Sequence, residues 1–234
     1  MSKFNLLSFL GKVFTDADTN VVTIAAYVLL GVVLILAIVF SVGKNRMRTV
    51  DIVYAGVALA TSFVLSYIKI APVPNGGSVT LASMLPVMLY AYYFGFTRGL
   101  FVGLIHGLLQ FIQSPYILTP ATFALDYLLA FASIGLMGFA GKFTKKASGV
   151  NLFAGVTIVY LARFLFHFVS GIIYFNMGAV WAELPAENAV IYSLLYQIVY
   201  LVPDWIITTA VILVLNNFGV INRLAPAKFK KNNV

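Results

Sequence analysis

Residues 21–42 read VVTIAAYVLLGVVLILAIVFSV, twenty-two positions without one charged side chain. A helix needs about 20 apolar residues to cross the roughly 30 Å hydrocarbon core of a bilayer, so the stretch reads as a transmembrane span. It is not a cleavable signal peptide: the run is too long, Asp16 and Asp18 precede it, and no small-residue cleavage site follows before the next apolar run. Six more apolar runs follow, at 52–70, 79–94, 99–113, 121–140, 150–175 and 189–215. Those at 79–94 and 99–113 are short for a full crossing, which places their ends inside the protein. All are continuous and lack the period-two alternation of a lipid-facing barrel strand. The predicted fold class is therefore all-α, a polytopic membrane helix bundle of six spans with one extra transmembrane helix before them. The expected divisions are an extracellular segment at 1–20, the extra span at 21–42, a six-helix membrane domain at 51–217 and a basic cytoplasmic tail at 218–234.

Composition agrees with that pattern. Of 234 residues, 62% are hydrophobic and 9% charged, with mean hydropathy +0.99, against about 25% charged in an ordinary soluble domain. So few charges cannot cover a water-facing surface, which excludes a soluble enzyme. The chain has no cysteine, so disulfides and thiolate metal sites are absent.

The net charge of +8 is a topology signal. Lys44, Arg46, Arg48, Arg98, Lys142, Lys145, Lys146, Arg223, Lys228, Lys230 and Lys231 are eleven of the fifteen basic residues, and all lie in alternate connections. The opposite loops, 71–78, 114–120 and 176–188, hold no Lys or Arg, and the last carries Glu183 and Glu187. By the positive-inside rule the basic loops face the cytoplasm, with the N-terminus outside and the C-terminus inside the cell membrane. No basic stripe interleaved with aromatics is present, so a nucleic-acid partner is not expected.

Ionisable residues inside a membrane are expensive and mark function by default. Asp126 sits about six residues, or roughly 8–9 Å, inside its span. His167, Tyr192, Gln197 and Tyr127 fall at a similar depth. A carboxylate, an imidazole, an amide and phenols at one outward level describe a pocket for a small polar, aromatic or cationic ligand. Arg163 and Asp204 lie deeper at matching levels and are expected to form a structural ion pair rather than a proton relay. His106 has no evident partner and reads as a packed core residue. Nucleophile elbow, metal-ligand spacing and phosphate loop are all missing, so catalysis, a metal site and a cofactor are not expected.

Small residues recur at Gly95, Gly99, Gly103 and Gly107, a spacing that lets two helix backbones approach. In the first of the six spans Ala55, Gly56 and Ala60, beside Ala58, form a small-residue face suited to packing or to docking a partner protein. The outward loops 72–78, PVPNGGS, and 114–120, SPYILTP, are turn-rich and suit ordered, lid-like segments.

Several of these stretches resemble the thiamine-specific substrate-binding subunits of energy-coupling factor transporters. PNGGSVTLASMLP at 74–86 resembles their first loop and second helix. LDYLLAF at 125–131, RFLFHFVSG at 163–171, YSLLYQ at 192–197 and the pair Pro203–Asp204 follow in the family's order, over about residues 50–220. The resemblance implies a membrane subunit that captures thiamine from outside and works with a membrane coupling subunit and two cytoplasmic ATPases. It implies binding roles for Asp126, Tyr127, Tyr116, His167 and Tyr192, with Gln197 standing where the family usually has Asn. Phe175 takes the aromatic position of the fifth helix, Gly77 and Ser78 belong to the first-loop signature, and loop-1 tryptophans are missing. These departures leave pyridoxine or a thiamine pyrimidine precursor as alternative ligands. A self-sufficient proton-coupled secondary transporter using Asp204, His106 and Arg163 is the rival class; the lack of an inverted repeat argues against it.

Overall fold

The computed structural model describes residues 47–142 and 148–226, together with Gly31. The segment 1–20, the extra span at 21–42 apart from Gly31, and the basic residues Lys44, Arg46, Lys145, Lys146, Lys228, Lys230 and Lys231 lie outside the described residues. Among the described residues, four helices are long and apolar enough to cross a membrane: α1 (Thr49–Ser66), α4 (Pro120–Lys142), α5 (Gly149–Asn176) and α6 (Ala189–Asn217). Between α1 and α4 stand α2 (Leu85–Phe94), ten residues long, and α3 (Phe96–Gln113), which matches the 18 residues of α1 but carries Arg98, His106, Gln110 and Gln113. The fold is an all-α membrane bundle.

The run at 52–70 does not stay helical to its end. Helix α1 stops at Ser66, and the chain turns into a two-stranded antiparallel hairpin, β1 (Lys69–Pro72) and β2 (Ser78–Thr80), with Lys69 opposite Thr80 and Pro72 opposite Ser78. Prolines at 72 and 74 cannot continue a helix. The turn between the strands needs two positive-φ residues, Asn75 (φ 62°) and Gly76 (φ 91°), which asparagine and glycine supply at least cost. The following run therefore starts its helix at Leu85, not at 79. Gly95 (φ 91°) breaks it from α3, which begins at Phe96 rather than 99.

Apolar burial drives folding weakly in lipid, where tails are as apolar as leucine; close backbone packing and polar contacts hold helices together instead. The glycines of α3 serve this end. A Cβ on Gly103 or Gly107 would run into the backbone oxygens of Phe131 and Tyr127 on α4. Helices α5 and α6 form the most extensive helix pair, and Val87, Met88, Ala91, Val156, Val159 and Ile212 fill the centre with no exposed surface. Val53, Val57, Leu165 and Ile206 point outward from the bundle.

On α1 the buried residues are Asp51, Ala55, Ala58, Ser62 and Ser66. Ala55 therefore faces inward, 100° around the helix from Gly56, and does not share the exposed small-residue face expected for it; Gly56 and Ala60 do lie there. Asp51 is fully buried and anchors the start of α1, bonded to Arg48 at 3.1 Å and paired with Arg98 at 3.4 Å. The beginning of the tail is also structured: α7 (Val220–Leu224) buries Ile221, whose carbonyl accepts from Tyr93 Oη at 2.5 Å.

Candidate binding site

At the hairpin end of the bundle lies a cavity of about 130 Å³. That is roughly ten times the ~10–15 Å³ one water requires. Its wall comes from the hairpin, the loop 114–119 and helices α1, α3, α4, α5 and α6.

Asp126 owes its position to local helix geometry. Thr119 caps α4 by accepting Thr122 N–H at 3.2 Å, and Pro120 opens the first turn. From Ala124 to Leu129 the helix widens to i→i+5 bonding, a rare form that recurs at functional sites. The wide turn carries Asp126 and Tyr127 together to the cavity wall. There Asp126 Oδ1 lies 2.8 Å from His167 Nδ1, and Ser170 Oγ donates to Oδ2 at 2.6 Å. His167 and Ser170 are one turn apart on α5, so one helix face fixes both carboxylate oxygens. Gln197 Nε2 donates to the His167 carbonyl at 3.0 Å, tying α6 to the same layer. Among the described residues no group of three His, Cys, Asp or Glu could hold a metal ion.

Tyrosines make much of the remaining wall. Tyr192, Tyr196 and Tyr200 line one face of α6 at successive turns, and Tyr174 stacks on Tyr116 with centroids 5.5 Å apart. Tyr127 Oη donates to Ser114 O at 2.6 Å and accepts from Tyr116 N at 3.0 Å, which shapes the second loop. Tyr116 donates its phenol to Asn75 Oδ1 at 3.0 Å. Burial raises the Tyr116 pKa above its usual value, so the proton needed for that bond stays in place at neutral pH.

Asn75 gathers three segments at the cavity mouth. Besides accepting from Tyr116, its Nδ2 donates to Ala179 O at 3.2 Å and to Tyr192 Oη at 3.4 Å. Tyr196 Oη donates to Pro74 O at 2.6 Å and accepts from Gly77 N at 3.1 Å. The loops 72–78 and 114–120 are thus tied to each other and to α6 along the cavity wall. Gly77 and Ser78 line it. Phe175 does not line it; it packs behind Tyr192 at 5.6 Å.

The expected ion pair between Arg163 and Asp204 is not formed. Asp204 Oδ1 accepts from Thr80 N at 2.9 Å and Thr80 Oγ1 at 3.1 Å, while Oδ2 accepts from Tyr160 Oη at 2.6 Å. The carboxylate is met by donors from β2 and α5, so it needs no cation. Arg163 turns to Met84 Sδ and to His167 Nε2 at 3.3 Å, with its guanidinium 4.6 Å from the Phe131 ring centre. Both residues contribute to the cavity lining. His106 is fully buried edge-on to Phe131 at 5.2 Å, but neither ring nitrogen has a hydrogen-bond partner, so it is packed without being satisfied.

Sequence reasoning passed over Asn75, Ser66, Gln110, Gln113, Ser170, Tyr174, Tyr196 and Tyr200. The i, i+4, i+8 tyrosine spacing on α6 was a usable signal. The two glutamines stand one turn apart in an apolar helix and were hidden because a census of ionisable groups skips neutral amides.

Comparison with known proteins addresses the family and the fold. A family model described as thiamine transporter protein matches residues 52–221. The thiamine transporter ThiT of Bacillus subtilis (strain 168) is 33% identical over 182 residues, 74% of this chain and 91% of that protein. The thiamine transporter ThiT of Lacticaseibacillus paracasei is 26% identical over 167 residues, 65% of this chain and 79% of that one. A solved structure of ThiT from Listeria monocytogenes superposes with a TM-score of 0.64 at 23% identity, covering 73% of this chain and 95% of that chain. This last likeness establishes the fold.

Proposed function

Because the chain belongs to the thiamine transporter protein family, we propose that it is the substrate-capture subunit of an energy-coupling factor transporter, taking thiamine from the outer face of the cell membrane. The hairpin end of the bundle faces outside, and the end carrying Arg48, Arg98 and Lys142 faces the cytoplasm, as the distribution of basic residues favours. The observation that carries the reading is Asp126, held by His167 and Ser170 in a cavity walled by tyrosines. Thiamine joins a cationic thiazolium to a neutral aminopyrimidine. A fixed carboxylate offsets the cation, and phenol faces attract it and stack on flat rings.

Capture proceeds from binding to closure. Thiamine enters beneath the hairpin, and the bonds of Asn75 to Tyr116, Ala179 and Tyr192 close the three outer segments over it. Asp126, Tyr127, Tyr116, His167, Tyr192, Gln197, Gly77 and Ser78 form the binding wall, and Phe175 supports Tyr192 from behind. The chain lacks a nucleotide-binding motif, so energy for release comes from a membrane coupling subunit and two cytoplasmic ATPases. The exposed face of α1, with Gly56 and Ala60 among Val53 and Val57, docks the coupling subunit; nothing lies within 4 Å of a Cβ built on Gly56. Thiamine uptake tests the reading in cells that carry the chain with or without the coupling ATPases. Concentrative uptake only with the ATPases supports it; sustained uptake without them favours a secondary transporter.

A further inference from the structure

The β1–β2 hairpin is fastened to α6 at two levels, and the two fastenings differ in kind. At the tip, Gly77 N–H donates to Tyr196 Oη at 3.1 Å, and Tyr196 Oη donates to Pro74 O at 2.6 Å. These bonds join neutral groups, and Pro74, Asn75, Gly76 and Gly77 are exposed or half-buried. At the root, Asp204 Oδ1 accepts Thr80 N–H at 2.9 Å and the Thr80 hydroxyl at 3.1 Å. A carboxylate only accepts, so the hydroxyl proton goes to Asp204, and Ser83 Oγ, 2.8 Å away, donates to Thr80 Oγ1. Val79, Thr80, Ala82, Ser83 and Asp204 are all buried. Hydrogen bonds to a charged group are about twice as strong as neutral ones, and segments open first where their bonds are exposed. The tip therefore lets go before the root.

The backbone of both strands is irregular at the level of the root. In β1, Lys69 pairs with Thr80 and Ala71 with Val79, which leaves Ile70 as an extra residue, a bulge of the kind that bends a strand. After β2, Ala82 takes φ 51°, the left-handed region that is uphill for alanine and open to glycine. Two bonds hold it there: its N–H donates to Thr80 O at 2.9 Å, and its carbonyl accepts from Leu85 N–H at 3.0 Å. Strain of this sort collects at clamps and switches. We propose that the Thr80–Asp204 contact is the pivot of the hairpin and that Ala82 is its spring. The hairpin swings outward about Thr80, Tyr196 is released, and Ala82 relaxes into an ordinary conformation. Closure over a ligand works against the spring, and Asp204 is a positioning residue that keeps the root in place. The inference rests on the capture reading above and adds to its closure step the place where the hairpin bends.

The test is amide hydrogen exchange of the full chain in detergent without ligand, read by NMR and corrected for intrinsic rates. Gly77 N–H, freed when the tip opens, should be at least about 30-fold less protected than Thr80 N–H, three positions away. Asp204→Asn keeps an acceptor oxygen but loses the charge, so Thr80 protection should fall about tenfold while Gly77 stays within about twofold. Ala82→Gly removes strain from the closed form, so Gly77 protection should rise about fivefold or more, and thiamine dissociation in stopped flow should slow by a similar factor. Equal protection of Gly77 and Thr80 in the wild type overturns the pivot, as does Thr80 protection unmoved by Asp204→Asn. Gly77 protection unchanged or lowered in Ala82→Gly overturns the spring. Thiamine enters only the dissociation arm: a chain that binds none overturns the capture reading, while the exchange pattern still decides pivot and spring.

Discussion

Replacing Asp126 by asparagine removes one negative charge while keeping the side chain's size. His167 Nδ1–H can still donate to the remaining carbonyl, and the Ser170 hydroxyl can rotate to accept from the new amide, so both contacts, now at 2.8 and 2.6 Å, survive. What is lost is attraction for the thiazolium. At about 5 Å and an effective dielectric of about 20, one charge pair is worth roughly 3 kcal/mol. The Asp126 side chain keeps 16% of its surface exposed, so hydration of the free carboxylate offsets part of this. A net loss of about 2 kcal/mol corresponds to a Kd raised about 30-fold. The neutral pyrimidine portion of thiamine, lacking the cation, should weaken by no more than about threefold. Titration calorimetry of the purified variant reads the first figure, and thermal unfolding should show its midpoint moved by no more than about 2 °C. A thiamine Kd within about twofold of wild type, with an unchanged midpoint, would remove the carboxylate from the site.

Asn75→Gly keeps the positive φ of the turn and deletes the side chain that bridges three outer segments; stopped-flow dissociation of thiamine should accelerate about 5- to 20-fold while association changes little. Arg163→Met and Asp204→Asn touch separate hydrogen-bond partners, so a double-mutant cycle on unfolding should show coupling below about 0.5 kcal/mol. Coupling of several kcal/mol would restore the ion pair. Gly107→Ala forces a methyl against Tyr127 O and should lower stability in detergent by about 1–3 kcal/mol. Gly56→Ala, on open surface, should leave the unfolding midpoint unchanged but reduce thiamine uptake by cells that contain the coupling subunit.

Much of the fold was legible because the bilayer leaves few options: predominantly apolar runs of span length become helices. The breaks were harder. Pro72, Pro74 and Gly76 announce a turn, but the β1–β2 hairpin depends on Thr80 reaching Asp204 across 124 positions of sequence, which no local pattern records. The site was partly legible for the same reason as the fold. Asp126 and His167 are rare ionisable side chains in an apolar setting, and depth counting alone put them at one level. Arg163 and Asp204 matched in depth as well, yet depth does not fix the direction of a side chain around its helix. Neutral polar donors from Thr80 and Tyr160 met Asp204, and a thioether and aromatic ring received Arg163. Small-residue spacing identified α3 as a packing helix; on α1 it could not separate Ala55 from Gly56, which point 100° apart.

The central claim is that this chain alone holds thiamine in the cavity between its hairpin and helices α3 to α6. Calorimetric titration of the purified chain with thiamine, without coupling subunit or ATPases, addresses it directly. The account predicts saturable binding of one thiamine per chain with Kd below about 1 μM, equivalent to more than about 8 kcal/mol, and it predicts that Asp126→Asn weakens that binding. Absence of saturable heat from the folded protein would contradict it.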